Sequence, residues 1–131
     1  ARNGMHAWQQ GFRAGWLDLP LLRYALEVVG RLDGLVVTCL DRVAALPDLQ
    51  ICRGYQVGPL QIERIVPAPD PQDLTYQGQI TAALAGCRPI LERLGGPDDL
   101  LRVLSADLDL PIMFTSYGPA AEDKRYNRVV P

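Results

Sequence analysis

Leu35-Val36-Val37-Thr38-Cys39-Leu40-Asp41 is a short, nearly continuous apolar run that ends in an aspartate. Its length and its β-branched residues predict a strand that is buried on both faces in a helix-covered sheet. Asp41 marks the predicted end of this strand. Because open α/β sheets bind ligands at the carboxyl ends of their strands, this end is the first candidate for a binding site.

Helical patterns lie on both sides of this run. The first has Asp18 as a candidate N-cap and Pro20 in its first turn, and it stops at Gly30. A second begins at Pro97-Asp98-Asp99, whose acidic residues suit the positive end of a helix dipole. Residues 73–85 are predicted to be partly helical. The apolar positions of the two stronger helices are Leu21, Leu22, Ala25, Leu26 and Val29, and Leu100, Leu101, Val103, Leu104 and Leu108.

Further strands are predicted along the chain. Residues 50–57 alternate between apolar and polar side chains, which indicates a strand with one more exposed face. Residues 61–66 and 89–94 are weaker strand patterns, and 67–71 form a proline-rich turn. Residues 111–116 form a last strand that stops at Tyr117-Gly118-Pro119. The order of elements predicts an α/β fold with a mixed sheet and flanking helices.

Composition limits the classes of function. The 131 residues, 48% of them hydrophobic, suffice for one core, so we expect a single domain over 1–131. A net charge of −2, from 13 basic and 15 acidic residues, argues against a nucleic-acid partner. No apolar run approaches the roughly 20 residues of a membrane span, and the start resembles no signal peptide, so we expect a cytoplasmic protein without a membrane partner.

The cysteines and the histidine form no recognisable metal site. Cys39, Cys52 and Cys87 are not paired in a CxxC motif, and we expect them to be reduced core thiols. His6 has no second ligand near it in sequence. Residues 1–15 show no periodicity and predict a loop, which at this length is often functional. The chain does not begin with methionine, as expected of a fragment.

Two segments carry residues that suit a purine. A rigidly held Asp41 accepts two hydrogen bonds from a neighbouring N–H and NH₂ pair, which guanine presents and adenine does not. The alternative is that Asp41 simply caps the following turn. Ser116-Tyr117-Gly118-Pro119, at the end of the last strand, is likewise either a ligand loop or an ordinary turn.

An ordered set of segments resembles the last third of adenylosuccinate synthetase. These segments are Gly15-Trp16-Leu17-Asp18, Arg23-Tyr24-Ala25, Asp33-Gly34-Leu35, Leu40-Asp41, Ile51-Cys52-Arg53-Gly54-Tyr55 and Pro111-Ile112 with Ser116-Tyr117-Gly118-Pro119. The resemblance implies a fragment of a larger P-loop-type ligase fold. It also implies an enzyme that joins IMP and L-aspartate with GTP and magnesium and that forms a homodimer.

The resemblance assigns the guanine site to both strand ends. Asp41 takes the place of the aspartate on the base edge, Leu40 keeps its place, and Cys39 stands where the family has a lysine. Ser116, Tyr117, Gly118 and Pro119 match the family's Ser-Thr-Gly-Pro, with Tyr117 in place of threonine. Tyr117 either stacks on the base or blocks the pocket.

The loop 1–15 corresponds to the family's arginine-rich substrate loop. Arg13 falls on one family arginine, while Phe12 and Gln10 fall where two functional arginines are expected. We assign Gln10 and Arg13 to this substrate loop, with a surface role as the alternative for Arg13.

The family's phosphate loop, catalytic aspartate and catalytic histidine have no counterpart in these residues, and the chain has no GxxxxGK[ST] motif. We therefore predict no catalytic residue and no metal ligand in this chain, and no activity of the chain alone. The rivals are a non-catalytic purine-nucleotide-binding module and a structural fragment without a ligand.

Overall fold

The computed structural model describes residues 7–8, 10–11 and 14–127, which form a mixed α/β fold. The predicted fold class is confirmed, although the strands divide into two mixed sheets. A 3₁₀ turn, Ala121–Asp123, precedes the last strand. The strands are β1 (Leu17–Asp18), β2 (Leu35–Val37), β3 (Gln50–Val57), β4 (Leu60–Ile62), β5 (Arg88–Arg93), β6 (Ile112–Ser116) and β7 (Lys124–Tyr126), and the helices are α1 (Leu19–Val29), α2 (Leu40–Ala44), α3 (Leu74–Ala85) and α4 (Pro97–Leu108).

The smaller sheet has the order β2-β6-β7. Strand β2 runs parallel to β6, and β7 returns antiparallel to β6. The prediction that residues 35–40 are a strand buried on both faces is wrong in two respects. The strand ends at Val37, and the side chain of Val36 is 63% exposed. The physical reason is that β2 is the terminal strand of its sheet, so among the described residues one edge of it has no strand partner.

The larger sheet is built on β3. Strand β5 pairs antiparallel with almost the whole length of β3, while β1 and β4 pair with its first and last parts on the other edge. The predicted bounds of β3 are confirmed, and Ile51, Cys52 and Tyr55 are buried. Gly54 is required by a close approach, because a Cβ here would lie 2.8 Å from the carbonyl oxygen of Ile62.

The core lies where α1, α2 and α4 meet the start of β3. Asp18 caps α1 as predicted, with its Oδ1 accepting a hydrogen bond of 3.0 Å from the N–H of Leu21. Gly30 ends the helix at φ 86°, a conformation that favours glycine. The buried cluster comprises Leu19, Leu40, Leu49, Ile51, Leu94, Leu100, Val103 and Leu104.

Ion pairs connect β3 with β5 and with the helices α1 and α4. Arg53 of β3 pairs with Glu92 of β5 at 2.6 Å and with Asp107 of α4, and Asp107 also accepts from Arg23 of α1 at 2.8 Å. The hydrogen bond from Arg53 lowers the pKa of the Glu92 carboxyl. A second polar link joins β3 to β1, since the Tyr55 hydroxyl donates to Asp18 Oδ2 at 2.6 Å. Burial and this bond to a carboxylate raise the pKa of Tyr55.

Several local predictions differ from the structure. The weak strand at 61–66 is only Leu60–Ile62, whereas the helix at 73–85 and the strand at 89–94 are confirmed as α3 and β5 with shifts of one residue. The elements β1, α2 and β7 were not predicted. All three cysteines are unpaired, and Cys52 is buried as expected. Cys39 is exposed, because it forms the turn from β2 into α2.

Among the described residues, no helix combines the length and hydropathy that crossing a membrane would require.

Two glycine substitutions compare the closely packed Gly54 in β3 with the unobstructed Gly78 in α3. Gly54→Ala should lower the free energy of unfolding by about 1–3 kcal/mol, because backbone must move to admit the methyl group. Gly78→Ala, in α3 with nothing within 4 Å of its Cβ position, should raise it by about 0.5–1 kcal/mol. Denaturant unfolding of both variants measures these changes. Equal effects of the two substitutions would contradict the close packing of β3 on Ile62.

Candidate functional site

The structure brings the two predicted strand ends side by side. In the parallel pair of β2 and β6, Val37 lies opposite Thr115. The chain therefore leaves the two strands in the same direction at the same edge. Residues 38–41 and 116–118 follow directly from these ends, so the predicted halves of the purine site are neighbours in space.

The turn after β2 is shaped by Cys39 and Leu40. Cys39 has φ 62° and ψ 28°, the left-handed conformation, and its carbonyl oxygen accepts bonds from Arg42 and Val43 at 3.0 and 3.2 Å. Leu40 is fully buried in the core cluster. The burial of Leu40 fixes the turn to the core, while the thiol of Cys39 faces outward at the site.

The prediction that Asp41 lies at the end of a strand is wrong. Asp41 lies in the first turn of the short helix α2. Its side chain is 40% exposed, and its carboxylate oxygen Oδ2 lies 3.5 Å from Nε of the more exposed Arg42. The alternative role of turn cap is not met, because the N-cap of α2 is Cys39 and no side chain accepts a capping bond there. The carboxylate is therefore partly exposed, and Arg42 is the ion-pair partner that the structure gives it among the described residues.

The loop after β6 is held by residues that the sequence prediction missed. The Ser116 hydroxyl donates to the carbonyl of Gly118 at 3.0 Å, and Lys124 Nζ donates to Ser116 Oγ at 2.7 Å and also to the Gly118 carbonyl. A Cβ on Gly118 would collide with the carboxylate of Asp123. The basic pair Lys124-Arg125 shortly after Gly118-Pro119 was the available signal, but only the strand pairing shows that β7 returns to this loop.

Tyr117 lies against the protein rather than free in solvent. Its ring packs on the core cluster that contains Leu40, and the guanidinium carbon of Arg125 lies 4.5 Å from the ring centroid. Its N–H donates to the carbonyl of Asp123 at 2.9 Å. These contacts fix the ring beside the turn of Leu40 and leave Arg125 over one of its faces.

The predicted substrate loop is described only in part. Gln10 is exposed, with φ 54°, whereas Arg13 lies outside the described residues. Within the described ranges, no three histidine, cysteine, aspartate or glutamate side chains gather in a group that could hold a metal ion.

A cavity borders the site without coinciding with it. It has a volume of about 650 Å³ and extends along β2 as far as Thr38, but its lining includes neither Asp41 nor the loop of Ser116. The candidate purine site is therefore a surface formed by two strand ends, and it is separate from the residues that line the cavity apart from Thr38.

Solved structures show the same fold. The chain aligns with a structure described as fully ligated adenylosuccinate synthetase from Plasmodium falciparum, with a TM-score of 0.64 and 17% sequence identity. This alignment covers 87% of the present chain and 29% of the Plasmodium chain. At this identity the likeness concerns the fold alone.

Sequence comparisons point the same way. The adenylosuccinate synthetase of Halothermothrix orenii is 35% identical over 111 residues, which are 85% of this chain and 23% of that protein. The adenylosuccinate synthetase of Desulforudis audaxviator is 39% identical over 106 residues, 80% of this chain and 21% of that protein. The chain thus spans about a quarter of the length of these relatives. The sequence model of the family described as adenylosuccinate synthetase matches residues 8–124, and the chain therefore belongs to the adenylosuccinate synthetase family.

Proposed function

We propose that this chain is part of a GTP-dependent ligase that joins IMP and L-aspartate to form adenylosuccinate, and that it supplies recognition of the guanine base. The observation that carries the proposal is the parallel pairing of β2 with β6, which places Cys39-Leu40-Asp41 beside Ser116-Tyr117-Gly118. Membership of the family supports the same assignment, because these two segments match the segments that bind guanine in the family.

Asp41 is the residue that selects guanine. An exposed carboxylate accepts from both the ring N–H and the exocyclic NH₂ of guanine, whereas adenine presents no such pair of donors. The burial of Leu40 holds the turn to the core, which supports a fixed position for the neighbouring carboxylate. Specificity then follows from the fixed position of a group that only accepts hydrogen bonds.

Cys39 and Tyr117 provide the surroundings of the base. The Cys39 thiol is exposed at the turn and covers much less of a purine ring than the lysine stem found in the family. Tyr117 offers an aromatic surface on the side of β6, where its ring is fixed by the core and by Arg125. Tyr117, after β6, would therefore supply stacking surface that the family's lysine supplies after β2.

The chemical steps belong to other parts of the full-length protein. In that protein GTP would phosphorylate IMP at O6, and the amine of L-aspartate would displace the phosphate. Residues 1–15, including Gln10 and Arg13, act as the amino-acid loop of the single domain 1–131. We expect the magnesium ion to be held by parts of the full-length protein outside this chain. We expect the full-length protein to be a homodimer and this chain alone to be inactive.

A second candidate is a non-catalytic purine-nucleotide-binding module. Gln10 and Phe12 stand where the family has arginines that hold the amino acid and phosphates, and neither side chain replaces a bidentate guanidinium. A phosphate loop and a catalytic histidine encoded upstream of Ala1 favour the ligase. An unrelated upstream domain favours the module.

Asp41→Asn tests the base-reading role. The amide replaces one acceptor by a donor, so the affinity for GTP should fall by about 1.5–3 kcal/mol. The matched control is Asp98→Asn, since Asp98 also lies in the first turn of a helix, α4, and loses the same dipole interaction. Calorimetric titration of the longest native form of the protein with GTP and with ATP measures both variants.

The outcome separates the roles of Asp41. If Asp98→Asn binds GTP normally and Asp41→Asn does not, the carboxylate reads the base. Equal GTP affinity of the two variants would contradict this role. Heat from neither nucleotide with the unaltered protein would exclude both binding functions.

Cys39→Lys tests whether the lysine side chain that the family has at this position strengthens GTP binding. A lysine side chain at this position extends over the purine face, and its contact with the ring should tighten GTP binding by about 0.5–2 kcal/mol. Cys39→Ser changes little of the covered area and should bind GTP like the unaltered protein. Weaker GTP binding by Cys39→Lys, with the stability of the protein unchanged, would show that the base does not lie against this residue.

A further inference from the structure

Lys124 is the only lysine of the chain, and it lies at the second strand end. Every other member of the 13 lysine and arginine residues is an arginine. Lys124 begins β7 and pairs directly with Ser116, the last residue of β6. Residues that lie opposite each other in antiparallel strands have their side chains on the same face of the sheet. The lysine therefore lies at the end of the smaller sheet from which the chain also leaves β2.

The ammonium of Lys124 contacts the candidate base site itself. Nζ donates to Ser116 Oγ at 2.7 Å and also to the carbonyl of Gly118. Ser116 is 4% exposed, and Lys124 is half-buried. The only lysine thus has its charged group within hydrogen-bonding distance of two residues of the loop that is proposed to hold the base.

The positive charge of Lys124 is not balanced in the described part of the chain. Both acceptors are neutral, and an ammonium has three N–H groups, so one of them has no described partner. Lys124 forms no ion pair with a described carboxylate. The carboxylate of the adjacent Asp123 accepts instead from the N–H of Ala120 at 2.9 Å. A half-buried, unpaired ammonium favours a ligand that brings an acceptor oxygen.

Guanine presents such an oxygen beside its two donors. Its O6 lies next to the ring N–H, and the exocyclic NH₂ lies on the other side of that N–H. The carboxylate of Asp41 only accepts hydrogen bonds, so it suits the two donors and cannot bind O6, whereas an ammonium only donates. The strand order β2-β6-β7 sets Asp41 and Lys124 on opposite sides of β6. Groups of opposite charge therefore flank the end of β6, as the donors and the acceptor of guanine require.

We propose that Lys124 is a specificity-determining residue of this site and that its remaining N–H donates to O6 of the guanine base. The inference rests on the proposed function, since it takes the base to lie between the two strand ends. The family's lysine, which Cys39 replaces, lies along the ring face. Here the cation comes from β7 and acts at the ring edge, where it also disfavours the amino group that adenine has in place of O6.

Lys124→Met tests the contact with O6 by calorimetric titration of the longest native form of the protein. The two ligands are GTP and 6-thio-GTP, which has the same phosphates and the same donors for Asp41 but carries sulfur, a weak acceptor, in place of O6. The substitution should weaken GTP binding about tenfold or more, because a charged hydrogen bond is lost. It should weaken binding of 6-thio-GTP about threefold or less. A displaced loop, or a general loss of positive charge, would weaken both ligands equally.

Arg125→Met is the matched control, because it removes the neighbouring cation of the same strand. The guanidinium of Arg125 lies over the ring of Tyr117, whereas Lys124 contacts Ser116 and Gly118. Any effect of Arg125→Met should therefore change the affinities for GTP and 6-thio-GTP by the same factor.

A second measurement needs no substitution and applies even where Lys124→Met does not fold. The unaltered protein is treated with acetic anhydride, and acetylation of Lys124 is followed by peptide mapping with mass spectrometry. Saturating GTP should slow the acetylation of Lys124 more than saturating 6-thio-GTP does, because O6 engages the free N–H.

The outcomes distinguish this inference from the proposed function. If the unaltered protein binds neither GTP nor ATP, both fail. If it binds GTP in preference to ATP, but Lys124→Met changes the affinities for GTP and 6-thio-GTP by the same factor, only the contact between Lys124 and O6 is overturned. Acetylation of Lys124 at the same rate with and without GTP would overturn this contact as well.

Discussion

The parallel pairing of β2 with β6 is the constraint on which the rest of the structure depends. It sets Val37 opposite Thr115 and so determines that the turns after both strands emerge together. The buried Leu40 then attaches the first turn to the core, and Lys124 and Asp123 hold the second. Without this pairing, the two segments would be separate surface turns.

Local patterns predicted the elements whose interactions are local. The alternation in residues 50–57 gave β3 its bounds, and the cap at Asp18 and the acidic turn at 98–99 gave the starts of α1 and α4. The candidate purine-site residues also come from the sequence and stay a prediction, although the left-handed conformation of Cys39 and the short helix after it place Asp41 off the strand. A five-residue helix carries too few periods to be recognised.

Interactions between distant segments were not predictable in this way. An apolar β-branched run indicates a strand with two buried faces, but the burial of Val36 depends on a neighbour that the described residues do not supply. The roles of Lys124 and Arg125 depend on the return of β7 beside β6, which no local pattern encodes. Arg13 lies outside the described residues, so its role stays a prediction.

The two edges of strand β2 differ in their strand pairing. One edge pairs with β6 and thereby brings the two candidate base segments together, and the other edge has no strand partner among the described residues.

The most direct measurement of the central claim is nuclear Overhauser contact between guanosine and the isotopically labelled 131-residue chain. The account predicts contacts from the base protons to Cys39 and to Tyr117 in the same complex, and it predicts that adenosine does not give them. Contacts of guanosine with neither residue, or the same contacts with adenosine, would contradict a guanine site at the paired ends of β2 and β6.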